Sequence, residues 1–220
     1  HRAQLEAHEV FQDFEMQRMG PDGTPQWASI SGEPIFDDQG RFTGYRGVAR
    51  NITERKRAEA EIARLAFYDE LTGLPNRRLF HDRIDTALAR SRRKHGRMAL
   101  LYIDIDDFKA VNDSLGHDAG DLLLQEIARR LERCVRKADT VGRLGGDEFV
   151  VILEDIHGPD DATVVADKIH HSLLQPATIA GHLPHTQASI GIALHPGDGD
   201  DADSLIRHTD QRMYRHKERD

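Results

Sequence analysis

The sequence lacks the features that mark a secreted, disulfide-bonded or membrane-spanning protein. Its 220 residues include one cysteine, Cys134, so no internal disulfide can form and a reducing compartment is predicted. No apolar run reaches the roughly 18 residues needed to cross a bilayer, and there is no secretory signal. We therefore expect this segment to lie in the cytoplasm. Because the chain begins with His1, we expect it to be part of a longer protein.

The charge balance and the histidines argue against two further classes. The 38 acidic residues outnumber the 30 basic ones and give a formal net charge of -8, which disfavours nonspecific binding of long nucleic acid. A local basic pocket for a nucleotide is compatible with that charge. The 13 histidines form neither an HExxH motif nor a Cys-His spacing, so we expect surface or packing roles for most of them.

The segment RLGGDEF, residues 143–149, places two glycines and two acids between short apolar runs. These runs predict a β-hairpin with Gly145 and Gly146 at its turn. Since glycine lets the backbone approach a ligand closely, the hairpin would put Asp147 and Glu148 at the mouth of a pocket. The alternative is a hairpin that carries surface acids.

A second acidic position ends a predicted strand. Residues 98–105 (MALLYIDI) form a near-continuous apolar run, typical of a strand covered on both faces, and Asp104 is its only acid. A carboxylate there is costly unless a positive group meets it. If Asp104 and Asp147 lie on neighbouring strands, their oxygens suit Mg2+ or Mn2+ together with a triphosphate substrate.

Five segments carry a family resemblance, in the family's order and spacing. They are residues 69–78 (DELTGLPNRR), 104–121 (DIDDFKAVNDSLGHDAGD), 136–149 (RKADTVGRLGGDEF), 188–193 (ASIGIA) and 210–217 (DQRMYRHK). From about Phe67 to its last residue the chain resembles the GGDEF domain of the diguanylate cyclase family. The resemblance implies an α+β fold with a central, largely antiparallel sheet flanked by helices, as in the palm of polymerases and in adenylate cyclases. It also implies that two GTP condense to cyclic di-GMP and two pyrophosphates in a homodimer whose protomers each bring one GTP.

The resemblance also implies which residues form the metal site. Asp104 and Asp147 would bind Mg2+ or Mn2+ through their carboxylates, and Ile105 would contribute its main-chain carbonyl. Asp147 would also assist removal of the proton from the attacking 3′-hydroxyl. Glu148 would lie beside them as a second-sphere group or as a ligand of a second metal.

Asn112, His117 and Asp121 match the family's nucleotide-binding positions. Guanine presents N1 and N2 donors to a carboxylate and acceptors to an amide, so Asp121 and Asn112 would read the base. His117 would contact the nucleotide. The alternative for Asn112 and Asp121 is helix capping, because both stand near predicted helix starts.

The triphosphate needs hydrogen-bond donors and positive charge. By resemblance, the backbone N–H groups of Asp107 and Phe108 would donate at a strand-to-helix turn, with the positive end of the helix dipole behind them. Lys109 and Lys217 would add charge. The arginine that the family usually has just beyond Lys217 is not in this sequence.

Arg136 and Asp139 form an RxxD motif before the glycines. The motif matches the family's inhibitory site, where an arginine fork and a carboxylate hold bound cyclic di-GMP. Lys168 falls near the position of a second arginine in that site. The alternative is a surface salt bridge.

Residues 1–51 contain three strand-like runs separated by the turn signals GPDG and DDQG, which predict a β-meander. Residues 14–56 resemble the C-terminal half of a PAS sensor domain, the part often called PAC. The helical half that would supply much of a ligand pocket is missing from this chain, so no ligand is assigned. The alternative is a meander that only packs against a partner.

Residues 52–66 are predicted to form a linker helix, capped by Asn51. Its narrow apolar seam is typical of a short coiled coil, and we expect it to dimerise the protein. The alternative is a helix that lies on its own domain. The seam consists of Ala58, Ile62 and Leu65.

The remainder, residues 67–220, alternates helices and strands and is assigned to the GGDEF domain, which we expect to be truncated at its C-terminus. Helices are predicted over 76–95, 122–135, 162–174 and from Asp203, and a strand over 187–194.

Two other functions stay open. Residues 113–117 (DSLGH) and 195–210 (HPGDGDDADSLIRHTD) resemble GGDEF domains that are joined to an EAL phosphodiesterase domain. The chain could therefore be a GTP-binding but catalytically silent domain that regulates an EAL domain downstream. A structural dimerisation module is the third hypothesis, but such a module would not need the acids at 104 and 147.

Overall fold

The structure, a computed structural model, describes residues 2–21, 23–176 and 186–217. The chain forms two compact units, His1–Arg64 and Leu65–Asp220. Within the described ranges, no helix is both long enough and apolar enough to cross a membrane.

The first unit contains a three-stranded antiparallel sheet in the order β1-β2-β3. Its elements are α1 (Arg2–Glu6), β1 (Phe11–Met19), β2 (Pro25–Phe36) and β3 (Phe42–Asn51). Gly23 and Gly40 lie in the two turns with φ of +76° and +77°, a conformation that glycine adopts without a Cβ penalty. This sheet is the β-meander predicted from the two turn signals.

Helix α2 (Thr53–Phe67) follows β3 almost directly. Its first turn is capped as predicted, because Asn51 Oδ1 accepts a hydrogen bond from the Thr53 amide at 2.9 Å. On the apolar seam, Ile62 and Leu65 are 66% and 45% exposed. The described part of this chain therefore leaves the seam largely uncovered.

The second unit packs helices on both faces of a sheet whose four described strands lie in the order β5-β6-β4-β7. All three strand pairs are antiparallel. The elements are α3 (Arg77–Lys94), β4 (Met98–Ile105), α4 (Phe108–Leu115), α5 (His117–Cys134), β5 (Thr140–Gly145), β6 (Glu148–Leu153), α6 (Pro159–Leu174), β7 (Ala188–His195) and α7 (Ala202–Lys217). The predicted α+β fold with a largely antiparallel sheet is confirmed.

Strand β4 is buried on both faces, and its alternating side chains enter two separate cores. Leu101 and Ile103 belong to the core formed with α5 and α6, whereas Leu100 and Tyr102 belong to the core formed with α3 and α7. By the same alternation, Asp104 lies on the face that α3 and α7 cover, at the end of the strand. The Asp104 carboxylate therefore lies at the end of a strand that is packed on both faces.

Helix α3 begins and ends where the sequence predicts. Asn76 Oδ1 accepts from two backbone amides of the first turn, at 3.0 and 3.1 Å. At the other end His95 takes the left-handed conformation with φ of +49°, and the Gly96 amide donates to Ser91 O at 2.9 Å. These two caps fix the helix that covers one face of β4.

Candidate active site

The RLGGDEF segment forms the tight hairpin between β5 and β6. Gly145 pairs with Glu148, which leaves Gly146 and Asp147 as the two turn residues. Gly145 and Gly146 have φ of +142° and +52°. Both values lie where L side chains are strained, so the two glycines allow the reversal that presents Asp147 at the sheet edge.

The Arg143 guanidinium is hydrogen-bonded to this turn. Its Nε and Nη2 donate to the Gly146 carbonyl at 3.1 and 2.7 Å, and its Nη1 donates to both carboxylate oxygens of Asp69 at 3.0 and 2.9 Å. The Arg143 side chain is only 10% exposed. Through this one guanidinium, the segment that follows α2 is bonded to the glycine turn.

The Asp69 carboxylate also accepts from the Thr72 amide at 2.8 Å and from the Thr72 hydroxyl at 2.6 Å. Burial alone would raise the pKa of Asp69. The hydrogen bonds from Thr72 and from Arg143 outweigh burial and hold the pKa below its usual value of 3.8. Asp69 is therefore ionised when it binds Arg143 at neutral pH.

The predicted metal ligands come together at the end of β4. Asp104 stands directly opposite Glu148 in the β4–β6 register. The Ile105 amide donates to the Asp147 carbonyl at 3.3 Å, which joins the last residue of β4 to the turn. The cluster of these residues, which we call the corner of the sheet, lies where the central strand β4 ends and the central strand β6 begins. It consists of Asp104, Ile105, Asp147 and Glu148, and its three carboxylates are partly buried.

Glu148 is flanked by two groups on the same face. Arg77 Nη2, at the start of α3, lies 3.8 Å from Glu148 Oε2. The buried Tyr102 hydroxyl faces the same carboxylate, and burial together with the negative charge of Glu148 raises the pKa of Tyr102. Tyr102 therefore stays protonated and acts as a donor.

The donor set of this corner fits a hard divalent cation. Asp104 and Asp147 offer carboxylates and Ile105 offers a carbonyl, and such oxygens are the ligands that Mg2+ and Mn2+ prefer. In the described ranges no three His, Cys, Asp or Glu side chains converge in a metal-binding cluster. Mg2+ sites commonly use one or two carboxylates and take their remaining ligands from water and substrate phosphates. The corner therefore suits a metal that arrives with a nucleotide.

The turn between β4 and α4 lies next to this corner. Asp107 has a left-handed φ of +55°, and α4 starts at Phe108. The first amides of a helix have no intrahelical partner, so the N–H groups of Asp107 and Phe108 are the donors that the sequence predicts for phosphate. Lys109 is exposed in the first turn of α4, while the side chain of Lys217 lies outside the described residues.

Helices α4 and α5 carry the three residues predicted to contact the nucleotide. The helices are joined at Gly116, whose φ is +88°. A Cβ on Gly120 would overlap Asn112 Oδ1, so the Asn112 amide lies against the first turn of α5 at Gly120, the residue before Asp121. His117 is the first residue of α5.

Helix capping does not explain these residues. The N-cap residues of α4 and α5 are Asp107 and Gly116. Asn112 and Asp121 both lie inside their helices, so the capping alternative is wrong.

The RxxD motif lies at a separate cavity of 230 Å³ between the end of α5 and α6. Asp139 accepts from the Arg136 amide at 2.9 Å and from the Glu154 amide at 3.2 Å, and the described structure has no ion pair between the Arg136 and Asp139 side chains. The surface salt bridge is therefore not formed. Lys168 also lines the cavity and donates to the Cys134 carbonyl at 2.9 Å.

Comparison with known proteins identifies the family. Residues 66–220 match the family model described as diguanylate cyclase, GGDEF domain, and residues 2–54 match a PAS domain model. The chain belongs to the GGDEF family. The resemblance seen in the sequence, to a GGDEF domain preceded by part of a PAS domain, is confirmed.

Solved GGDEF domains share the fold. The GGDEF domain of TpbB (YfiN) from Pseudomonas aeruginosa has a TM-score of 0.68 at 41% identity, covering 70% of this chain and 90% of that structure. A structure of the coiled coil and GGDEF domain of DgcB from Caulobacter crescentus in complex with c-di-GMP has a TM-score of 0.67 at 27% identity. The latter match covers 75% of this chain and 88% of that chain.

One curated relative is MucR from Pseudomonas aeruginosa, named a bifunctional diguanylate cyclase/cyclic di-GMP phosphodiesterase. It is 46% identical over 166 residues, which make up 76% of this chain and 24% of MucR. The chain thus spans about a quarter of that relative's length.

Three residues of the GGDEF domain form side-chain hydrogen bonds at the site, although the sequence assigned them no role. They are Asp69, Arg143 and Ser189, whose hydroxyl donates to Asp106 Oδ1 at 2.9 Å. Each lies within a segment that carries the family resemblance. Their pairing is not visible in the sequence, because 74 residues separate Asp69 from Arg143 and 83 separate Asp106 from Ser189.

Proposed function

We propose that this chain is the cyclase portion of a signalling protein that condenses two GTP to cyclic di-GMP and two pyrophosphates. The observation that carries the proposal is the corner of the sheet where Asp104, Ile105 and Asp147 meet beside the β4–α4 turn. Mg2+ or Mn2+ bound there would neutralise charge on the α-phosphate oxygens and the departing pyrophosphate. We also propose the division into a PAS fragment (1–51), a linker helix (52–66) and a GGDEF domain (67–220).

Different residues around the corner bind different parts of GTP. Asp121 accepts from N1 and N2 of guanine and Asn112 meets its acceptors, a pattern that adenine does not satisfy. His117, at the start of α5, contacts the same nucleotide.

The backbone N–H groups of Asp107 and Phe108 bind phosphate oxygens, with Lys109 and Lys217 adding positive charge. Asp147 takes the proton of the 3′-hydroxyl. Glu148, between Arg77 and Tyr102, supports the metal site from the second sphere.

The reaction forms two phosphodiester bonds, and each protomer holds one GTP. A homodimer is therefore needed, so that two loaded sites face each other. The uncovered seam of α2 is the surface that we propose for dimerisation, because Ile62 and Leu65 are both exposed in one chain.

Feedback by the product is the second part of the proposal. The cavity at the RxxD motif combines two cationic side chains, Arg136 and Lys168, with apolar walls that include Val135 and Ile156. An arginine fork suits phosphate and the guanine edge, and apolar walls suit the face of a purine. Cyclic di-GMP is the ligand that we propose for it.

A second function is supported by relatives named for phosphodiesterase activity alone, such as the cyclic di-GMP phosphodiesterase PdeR from Escherichia coli, 37% identical over 168 residues that make up 76% of this chain and 25% of PdeR. In that alternative the domain binds GTP without turnover and regulates an EAL domain elsewhere in the protein. Incubation with GTP and Mg2+, followed by mass analysis for cyclic di-GMP, separates the two, because only the cyclase forms the product.

A further inference from the structure

The β4–α4 turn is tied to the neighbouring strand β7 at one residue, Asp106. The Asp106 amide donates to the Gln187 carbonyl at 3.0 Å, which continues the ladder one residue past the last residue of β4. The Asp106 carboxylate accepts from the Ser189 hydroxyl at 2.9 Å. Ser189 is only 7% exposed, so this hydrogen bond is shielded from water.

The residue that follows needs such support. Asp107 has a φ of +55°, in the left-handed region where Cβ crowds the backbone and which most non-glycine residues avoid. Its side chain makes no capping hydrogen bond to α4. A strained conformation persists only where its surroundings fix it. On the helix side, the Ala110 amide donates to the Asp107 carbonyl at 2.9 Å. On the strand side, the hydrogen bonds of Asp106 to Gln187 and to Ser189 fix the residue before Asp107.

Ser189 also stands at the metal corner. In the β4–β7 register it lies directly opposite Asp104, which in turn lies opposite Glu148. Its hydroxyl therefore bonds β7, at the position beside Asp104, to the turn that carries the phosphate donors. The same bond fixes the negative Asp106 carboxylate against β7. A carboxylate released from Ser189 would be free to turn toward the nucleotide phosphates and repel them.

We propose that Ser189 is a positioning residue for the triphosphate, acting through Asp106 to hold the amides of Asp107 and Phe108 in their binding orientation. The inference rests on the proposed function, since it assumes that this turn binds the phosphates of GTP. It predicts a selective defect: binding of the β- and γ-phosphates weakens, while recognition of the guanine base by α4 and α5 is unchanged.

The test compares binding of 3′-deoxy-GTP and 3′-deoxy-GMP to the 220-residue chain with Mg2+ present. Neither ligand has the attacking hydroxyl, so no product forms. We expect Ser189→Ala to lower the affinity for 3′-deoxy-GTP about tenfold, equivalent to about 1.4 kcal/mol, and to leave the affinity for 3′-deoxy-GMP within about twofold. Ser189→Thr keeps the hydroxyl and should restore most of the triphosphate affinity. The matched control is Ser91→Ala, since Ser91 is 5% exposed and its hydroxyl has no partner in the described structure.

Each result bears on the proposal. An equal loss for both ligands, or no loss for either, overturns the positioning role, and so does a failure of Ser189→Thr to recover affinity when its unfolding curve matches the wild type. With GTP as substrate, the defect should appear as a higher KM with a smaller change in kcat. If the wild-type chain binds 3′-deoxy-GTP but makes no cyclic di-GMP from GTP, the cyclase proposal fails and the binding comparison still decides the role of Ser189. If the wild-type chain binds no triphosphate, both proposals are wrong.

Discussion

Arg143 is the residue on which the geometry of the glycine turn depends most directly. Its guanidinium forms four hydrogen bonds, two to the Gly146 carbonyl and two to the Asp69 carboxylate. Both side chains of the ion pair are largely buried, at 10% and 20% exposure. Removing one partner of such a pair leaves an uncompensated charge, which costs more than the pair itself contributes.

We expect Arg143→Ala to lower the free energy of unfolding by about 3 kcal/mol, measured by urea denaturation of the 220-residue chain. Arg93→Ala, an exposed arginine of α3, is the control and should change stability by less than about 0.5 kcal/mol. Equal stability of the two variants would contradict the proposed role of Arg143.

The Asp69 pKa gives the same contact a pH dependence. Because hydrogen bonds hold the folded pKa below the usual 3.8, the contact stabilises the fold above that pH and is lost as the pH falls through the lower folded value. We expect Asp69→Asn to flatten the acid limb of the stability curve below about pH 3.8, measured by urea titrations at several pH values. A variant whose acid limb is as steep as that of the wild type would show that Asp69 is not responsible.

Arg136 lines the RxxD cavity and has an exposed side chain. Its guanidinium is the group that we propose for gripping cyclic di-GMP, and truncating a bidentate anchor costs roughly 1–3 kcal/mol. We expect Arg136→Ala to leave the initial rate intact and to raise the concentration of cyclic di-GMP needed for half inhibition by about 10- to 100-fold. The neighbouring Lys137→Ala is the control, because Lys137 is exposed and does not line the cavity. Unchanged inhibition of Arg136→Ala would make Arg136 a plain surface residue.

Among the secondary-structure elements, those with a strong periodic pattern are predicted well. Helix α3 and the β5–β6 hairpin form where apolar spacing and turn residues place them. The strand predicted over 187–194 is β7, shifted by one residue. The boundaries hold because capping groups such as Asn76 and the two hairpin glycines are local signals.

The stretch between β4 and α5 is predicted less well. The sequence predicts a helix over 122–135, but α5 already starts at His117 and α4 precedes it. The positive φ of Gly116 allows two helices to meet at one residue, and the partly polar first turn of α5 hides the helical period from a hydrophobicity pattern. Asn112 therefore looked like a cap although it lies within a helix. Contacts such as Ser189 to Asp106 are set by strand register, which no local pattern encodes.

At the level of the helix, the apolar seam of α2 allows a test of dimerisation. Ile62→Ser together with Leu65→Ser should weaken dimerisation, so activity per protomer should fall steeply on dilution while binding of 3′-deoxy-GTP persists. Removal of residues 1–66 should act in the same way. The matched control is Ala60→Ser with Ala63→Ser, two exposed positions on the opposite side of the helix. Full activity of the seam variant at low concentration would show that another surface dimerises the protein.

For the whole molecule, the family assignment gives the fold, while the proposed cyclase activity rests on the corner of the sheet. The acids at 104 and 147 are the positions that a purely structural module would not need. A regulatory domain that binds GTP without turnover could retain both, so only product formation distinguishes the cyclase from that alternative.

The rate of cyclic di-GMP formation from GTP and Mg2+, measured by mass for the wild type and for Asp147→Asn side by side, tests the central claim most directly. Asp147→Asn keeps the shape of the side chain and removes its charge, so the rate should fall by at least about 100-fold. The urea unfolding curve should stay that of the wild type, which separates loss of the metal site from loss of the fold. Formation of cyclic di-GMP by the wild type and not by the variant is the predicted result. Undiminished product from Asp147→Asn, or none from a wild type that binds GTP, would contradict the account.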